Sequence, residues 1–267
     1  MRWPLVSVII PNYNGKEFLL TCLESVLEID YASFEIIIID DGSTDGSDKV
    51  VELFYKYPNL KLIHNEVNKG AAFSRNRGAH LAIGEYLMFL DNDTRVDSKW
   101  LKEAINVLRA NPSIGIIAPA ICDNRSGRLY LGHDIGFYLG RVTGITFDKK
   151  TSAGYLTNVP MIGANCFVMR KSTFMKVGGF DSFLNIPYED SDLCARVRRA
   201  NFKIACHANY FSYHHPKAKR ASSALILREF RNKAIFMARY GNLLSFFIAS
   251  PLYIIYYGIR ALLSFRH

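Results

Sequence analysis

Apolar residues in the first half of the chain come in short dense runs separated by longer stretches of helical spacing. Residues 6–10 (VSVII) and 35–39 (EIIII) are compact and β-branched, and each stops at polar turn residues. That pattern predicts strands buried on both faces of a parallel sheet. Between them Phe18, Leu19, Cys22, Leu23, Val26 and Leu27 recur at helical spacing, and a second helical stretch covers 47–57. Residues 60–65 read as a third strand, 71–83 as a third helix, 86–90 as a fourth strand, 100–110 as a helix and 114–118 as a strand. The alternation predicts an open, mostly parallel α/β sheet, whose ligands sit outside the carboxyl ends of the strands. Residues 123–160 form a Gly-rich stretch of turns and short strands.

Polar clusters fall at those strand ends. Asn12-Tyr13-Asn14-Gly15 follows the first strand, Asp40-Asp41-Gly42-Ser43-Thr44-Asp45 the second, and Asp91-Asn92-Asp93 the fourth. Carboxylates on alternate residues can point toward one site, and Asp91 with Asp93 suits a hard divalent cation that bridges diphosphate oxygens. The same residues also suit an Asx-rich turn capping the next helix. Asp40 and Asp41 share that ambiguity, since an Asp at a strand end equally accepts from a base N–H or a ribose hydroxyl. Asn68-Lys69-Gly70 and Arg75-Asn76-x-Gly78 flank a helix start, where free N–H groups and a guanidinium suit a diphosphate, or merely a cap with a solvated Arg. Gly178-Gly179-Phe180-Asp181 is followed by Glu189-Asp190-x-Asp192, three acids in four residues. Beside a cleft such acids repel one another and gain the proton affinity a general base needs; on a surface they are a solvated run. His214-His215 offers an imidazole to a metal, or ends a strand.

The 267 residues are 49% hydrophobic and 21% charged, enough for a full core. The net charge of +9 is uneven: residues 193–267 hold 13 Lys/Arg against the single acid Glu229, so the preceding part is mildly acidic. An evenly basic, nucleic-acid-coating protein is excluded by that split. Five cysteines without a C-x-x-C pair give neither a disulfide framework nor a zinc knuckle, and point to a reducing compartment. Lys217, Lys219, Arg220, Arg228, Arg231, Lys233 and Arg239 are interleaved with Phe230, Phe236 and Tyr240, as an RNA-stacking surface requires. Yet Ile226, Leu227, Phe230, Ala234 and Met237 fall near one helical face, and a basic amphipathic helix on a membrane is the simpler expectation. Residues 242–259 carry no charge and would reach about 27 Å as a helix, just short of a bilayer core.

Taken in order, the strand-end motifs, Asn68-x-Gly70 with Arg75-Asn76-x-Gly78, Asp91-x-Asp93, Gly178-Gly179-Phe180-Asp181 and Glu189-Asp190-x-Asp192-Leu193-x-x-Arg196 closely resemble the family 2 inverting glycosyltransferases, including rhamnosyltransferase-like members. The resemblance runs from about residue 5 to about residue 215. It implies a glycosyltransferase-A fold, a Rossmann-like sheet, with a catalytic domain over 1–215 (nucleotide-sugar half 1–118, acceptor half 119–215). Residues 216–267 would then be a helical, apolar, membrane-associating appendage. It further implies that Pro11, Tyr13 and Asn14 line the nucleotide pocket, that Asp41 contacts the base with Asp40 nearby, and that Arg75 lies near the diphosphate. Asp91 would face the ribose or metal with Asn92 beside it, and Asp93 would ligate Mg²⁺ or Mn²⁺. Asp190 would be the base, Glu189 would orient or bind the acceptor, and His214, some two dozen residues on, would be preferred over His215 as a metal ligand. Gly15, where many relatives carry Glu, and Asn92, between the two acids, depart from the family pattern. The implied partners are a nucleotide-sugar donor, a glycan or lipid-linked acceptor and a membrane surface at its cytoplasmic face, with no nucleic acid; a binding domain of the same fold without chemistry is the alternative.

Overall fold

The computed structural model describes residues 2–123, 129–135, 142–146, 154–215 and 222–241, together with positions 251, 255, 256, 258 and 259. Strands β1 (Val6–Asn12), β2 (Phe34–Asp40), β3 (Leu60–His64) and β4 (Tyr86–Leu90) alternate with helices α1 (Lys16–Leu27), α2 (Ser47–Glu52) and α3 (Ala71–Leu81). A short β5 (Thr94–Val96), helix α4 (Trp100–Ala110) and β6 (Ile114–Asp123) follow. The Gly-rich stretch supplies β7 (Leu129–Ile135), β8 (Val142–Thr146) and β9 (Tyr155–Thr157). Then come β10 (Cys166–Arg170), α5 (Lys171–Lys176), α6 (Glu189–Arg199), β11 (Lys203–His214) and α7 (Ser223–Tyr240).

The main sheet has the order β3-β2-β1-β4-β10-β6-β11-β5. Only β10 and β5 run against the other strands of this path, which makes it the expected open, mostly parallel sheet. The chain builds outward from β1 through β2 to β3 and then returns to the other side of β1 with β4. A crevice opens where the strand order reverses, at the carboxyl ends of β1 and β4. Strand alternation fills both faces: Ile36 and Ile38 join Leu19, Leu23 and Trp100 in one core, while Ile37 and Ile39 join Phe89, Phe167 and Phe174 in the other.

Most boundaries fall within two residues of the expected ones, and two differ by more. Helix α2 stops at Glu52, and the chain continues in tight turns closed by Phe54 N–H to Val51 O and Tyr57 N–H to Phe54 O. Pro58 disfavours helical backbone at Tyr57, and the turns accommodate that limit. Strand β6 runs on to Asp123 because β11 pairs beside it as far as His214↔Asp123.

Gly78 and Asn76 act in packing, whereas Asn68 and Gly70 line the crevice at the strand ends. A Cβ at Gly78 would stand 2.5 Å from Cγ2 of Ile9, so only glycine lets α3 approach β1 this closely. Two residues earlier in α3, Asn76 donates from Nδ2 to Phe180 O at 2.8 Å and accepts Phe180 N–H at 2.9 Å. That pairing fixes Phe180, whose ring packs edge-on against Phe89 at 5.2 Å. Contacts of this kind contribute about 0.5–1.5 kcal/mol beyond the area they bury.

Helix α7 docks on the rest of the chain. Ile226, Phe236 and Met237 are buried, and Asn232, fully buried, donates from Nδ2 to Leu184 O and to Pro187 O. Asp192, also fully buried, accepts from Arg196, Arg239 and the Tyr240 hydroxyl. The buried side of α7 is thus covered by protein, whereas Leu227 remains exposed. The apolar stretch 242–259 lies mostly outside the described residues, and among those described no helix is long and apolar enough to cross a membrane.

Candidate active site

The crevice at the strand ends is a cleft of about 1000 Å³. Pro11, Tyr13 and Asn14 form part of its wall, and the Tyr13 side chain stays open, 49% exposed. Asn14 takes a left-handed backbone (φ 48°), and its Oδ1 accepts the Thr44 N–H, so the turns after β1 and β2 brace each other. Asp41 also lines the cleft, but its carboxylate accepts the Lys69 and Gly70 N–H groups (3.0 and 2.7 Å) and the Asn65 amide (2.7 Å). It therefore fixes the loop that leads into α3. Asp40 is absent from the cleft wall, because successive residues leaving a strand point to opposite sides. Its carboxylate takes Asn12 Nδ2 and the Ser43 N–H and closes the turn instead. Asn92 lines the cleft and donates to Asn12 Oδ1 at 2.6 Å. A Cβ at Gly15 would stand 2.0 Å from that amide, so Gly15 and Asn92 form one compensating pair.

Past β4, Asp91 and Asp93 converge with a third group from the far strand β11. Asp91, Asp93 and His214 each offer a ligand atom, all within 4.8 Å of one another. His214 Nε2 lies 3.3 Å from Asp93 Oδ1, an oxygen that is buried and accepts no hydrogen bond among the described residues. Two hard carboxylates and an imidazole form a donor set suited to Mg²⁺ or Mn²⁺. Strand alternation separates the two adjacent histidines: His215 stacks on Phe18 at 6.1 Å, and its N–H binds Asp93 O.

Arg75 is 1% exposed and occupies the centre of the site. One amino group meets Asp91 Oδ1 at 2.6 Å, the other meets Glu189 Oε1 at 3.0 Å, and the guanidinium lies 5.3 Å from the Phe180 ring centre. The loop after β4 is thereby tied to the first turn of α6. Burial and the neighbouring Asp190 push the Glu189 carboxyl up to about 7, with Arg75 opposing. Asp91 is likewise raised by burial, again against Arg75. Asp190 follows Glu189 and also lines the cleft, but is only half-buried. Its Oδ1 accepts the Ser191 N–H at 2.6 Å and hydroxyl at 3.2 Å, while Oδ2 accepts no hydrogen bond among the described residues. Ser191 in turn contacts His133 Nε2 at 3.2 Å.

A family model described as glycosyl transferase family 2 matches residues 7–178. The chain belongs to that family. An uncharacterised glycosyltransferase of Haemophilus influenzae is 32% identical over 224 residues, which are 82% of this chain and 70% of that protein. Other curated glycosyltransferases are matched over less than half of their own length, for example 26% of Escherichia coli YibD and 39% of Bacillus subtilis TuaG. Among solved structures, Staphylococcus aureus TarS in complex with UDP has a TM-score of 0.64 at 19% identity, over 90% of this chain and 67% of that one. The mannosyltransferase PcManGT of Pyrobaculum calidifontis, in complex with GDP-Man and Mn²⁺, has a TM-score of 0.66 at 18% identity, over 99% and 74%. These neighbours share the glycosyltransferase-A fold.

Within this family 2 glycosyltransferase the cleft unites every expected site residue except Asp40. It also takes in residues that the sequence did not single out for the site. Asn165 is 5% exposed and lines the wall with an Oδ1 that has no hydrogen-bond partner among the described residues; its backbone carbonyl accepts the Asp91 N–H. Asn185 and Tyr188, both with positive φ, shape the approach to α6. Arg228 reaches the cleft from α7, outside the span the family model matches. Only the basic charge of α7 signalled it, and that charge fitted a lipid surface equally well.

Proposed function

We propose that this enzyme is an inverting glycosyltransferase that moves one sugar from a nucleotide-diphosphate sugar to a hydroxyl of a glycan or lipid-linked acceptor. The observation that carries the reading is the convergence of Asp91, Asp93 and His214 on the same cleft that Asp190 lines. UDP bound to TarS and GDP-Man with Mn²⁺ bound to PcManGT support a nucleotide-sugar donor and a divalent cation. Tyr13 offers an open aromatic face to the base, and Asp41 serves the base pocket by fixing the 65–70 loop as well as by direct contact.

Asp91, Asp93 and His214 would hold Mg²⁺ or Mn²⁺, which supplies neutralising charge for the departing diphosphate. Asp190 Oδ2 takes the proton of the acceptor hydroxyl while Ser191 holds Oδ1 in place. The acceptor oxygen forms its bond to C1 from the face opposite the diphosphate. The old C1–O bond breaks, and its electron pair leaves on the diphosphate, which inverts C1. Glu189 keeps Arg75 in position, and Arg75 in turn aims Asp91. We further place the enzyme at the cytoplasmic face of the membrane, with contact through the basic outer side of α7 and residues 242–259.

Calorimetric titration of UDP and GDP with Mn²⁺ tests the donor site. Wild type binds one of them, and Asp93→Ala and His214→Ala lose the Mn²⁺-dependent part of the affinity while His215→Ala keeps it. Binding that ignores Mn²⁺ in all four proteins would overturn the reading.

A further inference from the structure

Helix α7 carries most of its cations toward solvent or internal partners: Arg239 meets Asp181 and Asp192, and Arg231 binds Phe183 O. Arg228 is different. It lines the cleft, its Nε is buried, and among the described residues its guanidinium makes no hydrogen bond or ion pair. The next turn of α7 fixes its location, because Asn232 binds Leu184 O and Pro187 O, and Asn185, Ile186 and Pro187 form the neighbouring cleft wall. The other arginine of the cleft, Arg75, already spends both amino groups on Asp91 and Glu189. A cleft rich in carboxylates thus contains one guanidinium whose donors are uncommitted among the described residues. Its planar fork matches a phosphate oxygen pair, and a buried donor without a partner gains most from an anion that supplies one.

We propose that Arg228 is a phosphate-binding residue of the substrate cleft, contributed by the C-terminal helix. This deepens the donor-site reading and rests on it. The phosphate belongs either to the diphosphate of the donor or to a phosphorylated acceptor; both present the same oxygens to the guanidinium.

The test uses the full chain with Arg228→Gln and Arg228→Lys, each first shown to melt like wild type, and titrates UDP with Mn²⁺, uridine, and glycerol 3-phosphate added to the UDP–Mn²⁺ complex. If the donor supplies the phosphate, Arg228→Gln weakens UDP at least tenfold, Arg228→Lys restores part of the loss, and uridine binding is unchanged. If the acceptor supplies it, UDP affinity stays constant and glycerol 3-phosphate binding is lost instead. Equal binding of all three probes by wild type and both variants would overturn the role of Arg228 while leaving the donor site standing. A wild type that binds neither UDP nor GDP with Mn²⁺ would bring down the donor-site reading, and this proposal with it.

Discussion

Replacing Arg75 by Met keeps most of the side-chain volume but leaves Asp91 and Glu189 buried around the gap without their shared cation. Removing one partner of a buried ion pair costs about 3–5 kcal/mol, because the surviving charge stays desolvated. The loss depends on pH in a definite direction. Glu189 is held at about 7 in the folded protein against 4.5 for an ordinary glutamate, so the folded state binds its proton more tightly. Stability is therefore fully present below the unfolded value and falls as pH rises toward 7, by an amount on the order of 3 kcal/mol. Without Arg75 the carboxyl rises further, and the destabilisation grows across and above that window. Urea denaturation of wild type and Arg75→Met at pH 5.5 and pH 8.5 reads this directly. The variant loses several kcal/mol at pH 8.5 and clearly less at pH 5.5, and adding Glu189→Gln recovers part of the loss at high pH. A deficit equal at both pH values, with no recovery on adding Glu189→Gln, would show that Arg75 acts by packing alone.

Three further outcomes follow from the packing. Gly78→Ala forces a methyl within 2.5 Å of Ile9 Cγ2 and lowers stability by about 1–3 kcal/mol, seen as a shifted urea midpoint; an unchanged midpoint would mean that α3 can move off β1 freely. Asp192→Ala strips Arg196, Arg239 and Tyr240 of a common acceptor, and hydrogen exchange then speeds up over 223–240 before it does in β1 or β4. Gly15→Ala displaces the Asn92 amide from Asn12 and impairs folding or nucleotide binding, whereas Gly15→Ala with Asn92→Gly recovers part of that loss.

Much of the architecture was legible because the physics that sets it is local. Residues 86–90 and 100–110 form the strand and the helix that their pattern predicts, since a dense apolar run and a 3.6-residue stripe each allow one element. The acids at the end of β4 and the start of α6 were legible as chemistry because carboxylates beside apolar strands require a reason. What the sequence could not reveal is pairing over distance. Arg75 and Glu189 are 114 positions apart, and no local pattern shows that the guanidinium is buried rather than solvated. Asp40 and Asp41 look equivalent in sequence, and only the direction of the chain leaving β2 sends one into a turn and the other to the cleft wall. The apolar residues of α7 predict a helix, and Ile226 and Met237 of the expected face are buried, but Leu227 is exposed and Asn232 and Phe236 are buried instead; periodicity says nothing of what covers such a face, and here it is the chain itself. The basic residues on that helix suggested an RNA-stacking surface or, more simply, a lipid surface, and nothing local showed that Arg228 lines the cleft.

Asp190 is the proposed base of a transfer reaction run in the cleft formed by β1, β4 and α6. Asp190→Asn keeps the shape and removes the proton acceptor, and general-base catalysis contributes about 10²–10⁴-fold. The decisive measurement is sugar transfer or donor hydrolysis across a panel of nucleotide-sugars with Mn²⁺, paired with calorimetric binding of the active donor. The predicted result is a wild type active with at least one donor and an Asp190→Asn variant that binds that donor with nearly unchanged affinity yet turns over at least a hundredfold more slowly. An Asp190→Asn enzyme that transfers at the wild-type rate would contradict it.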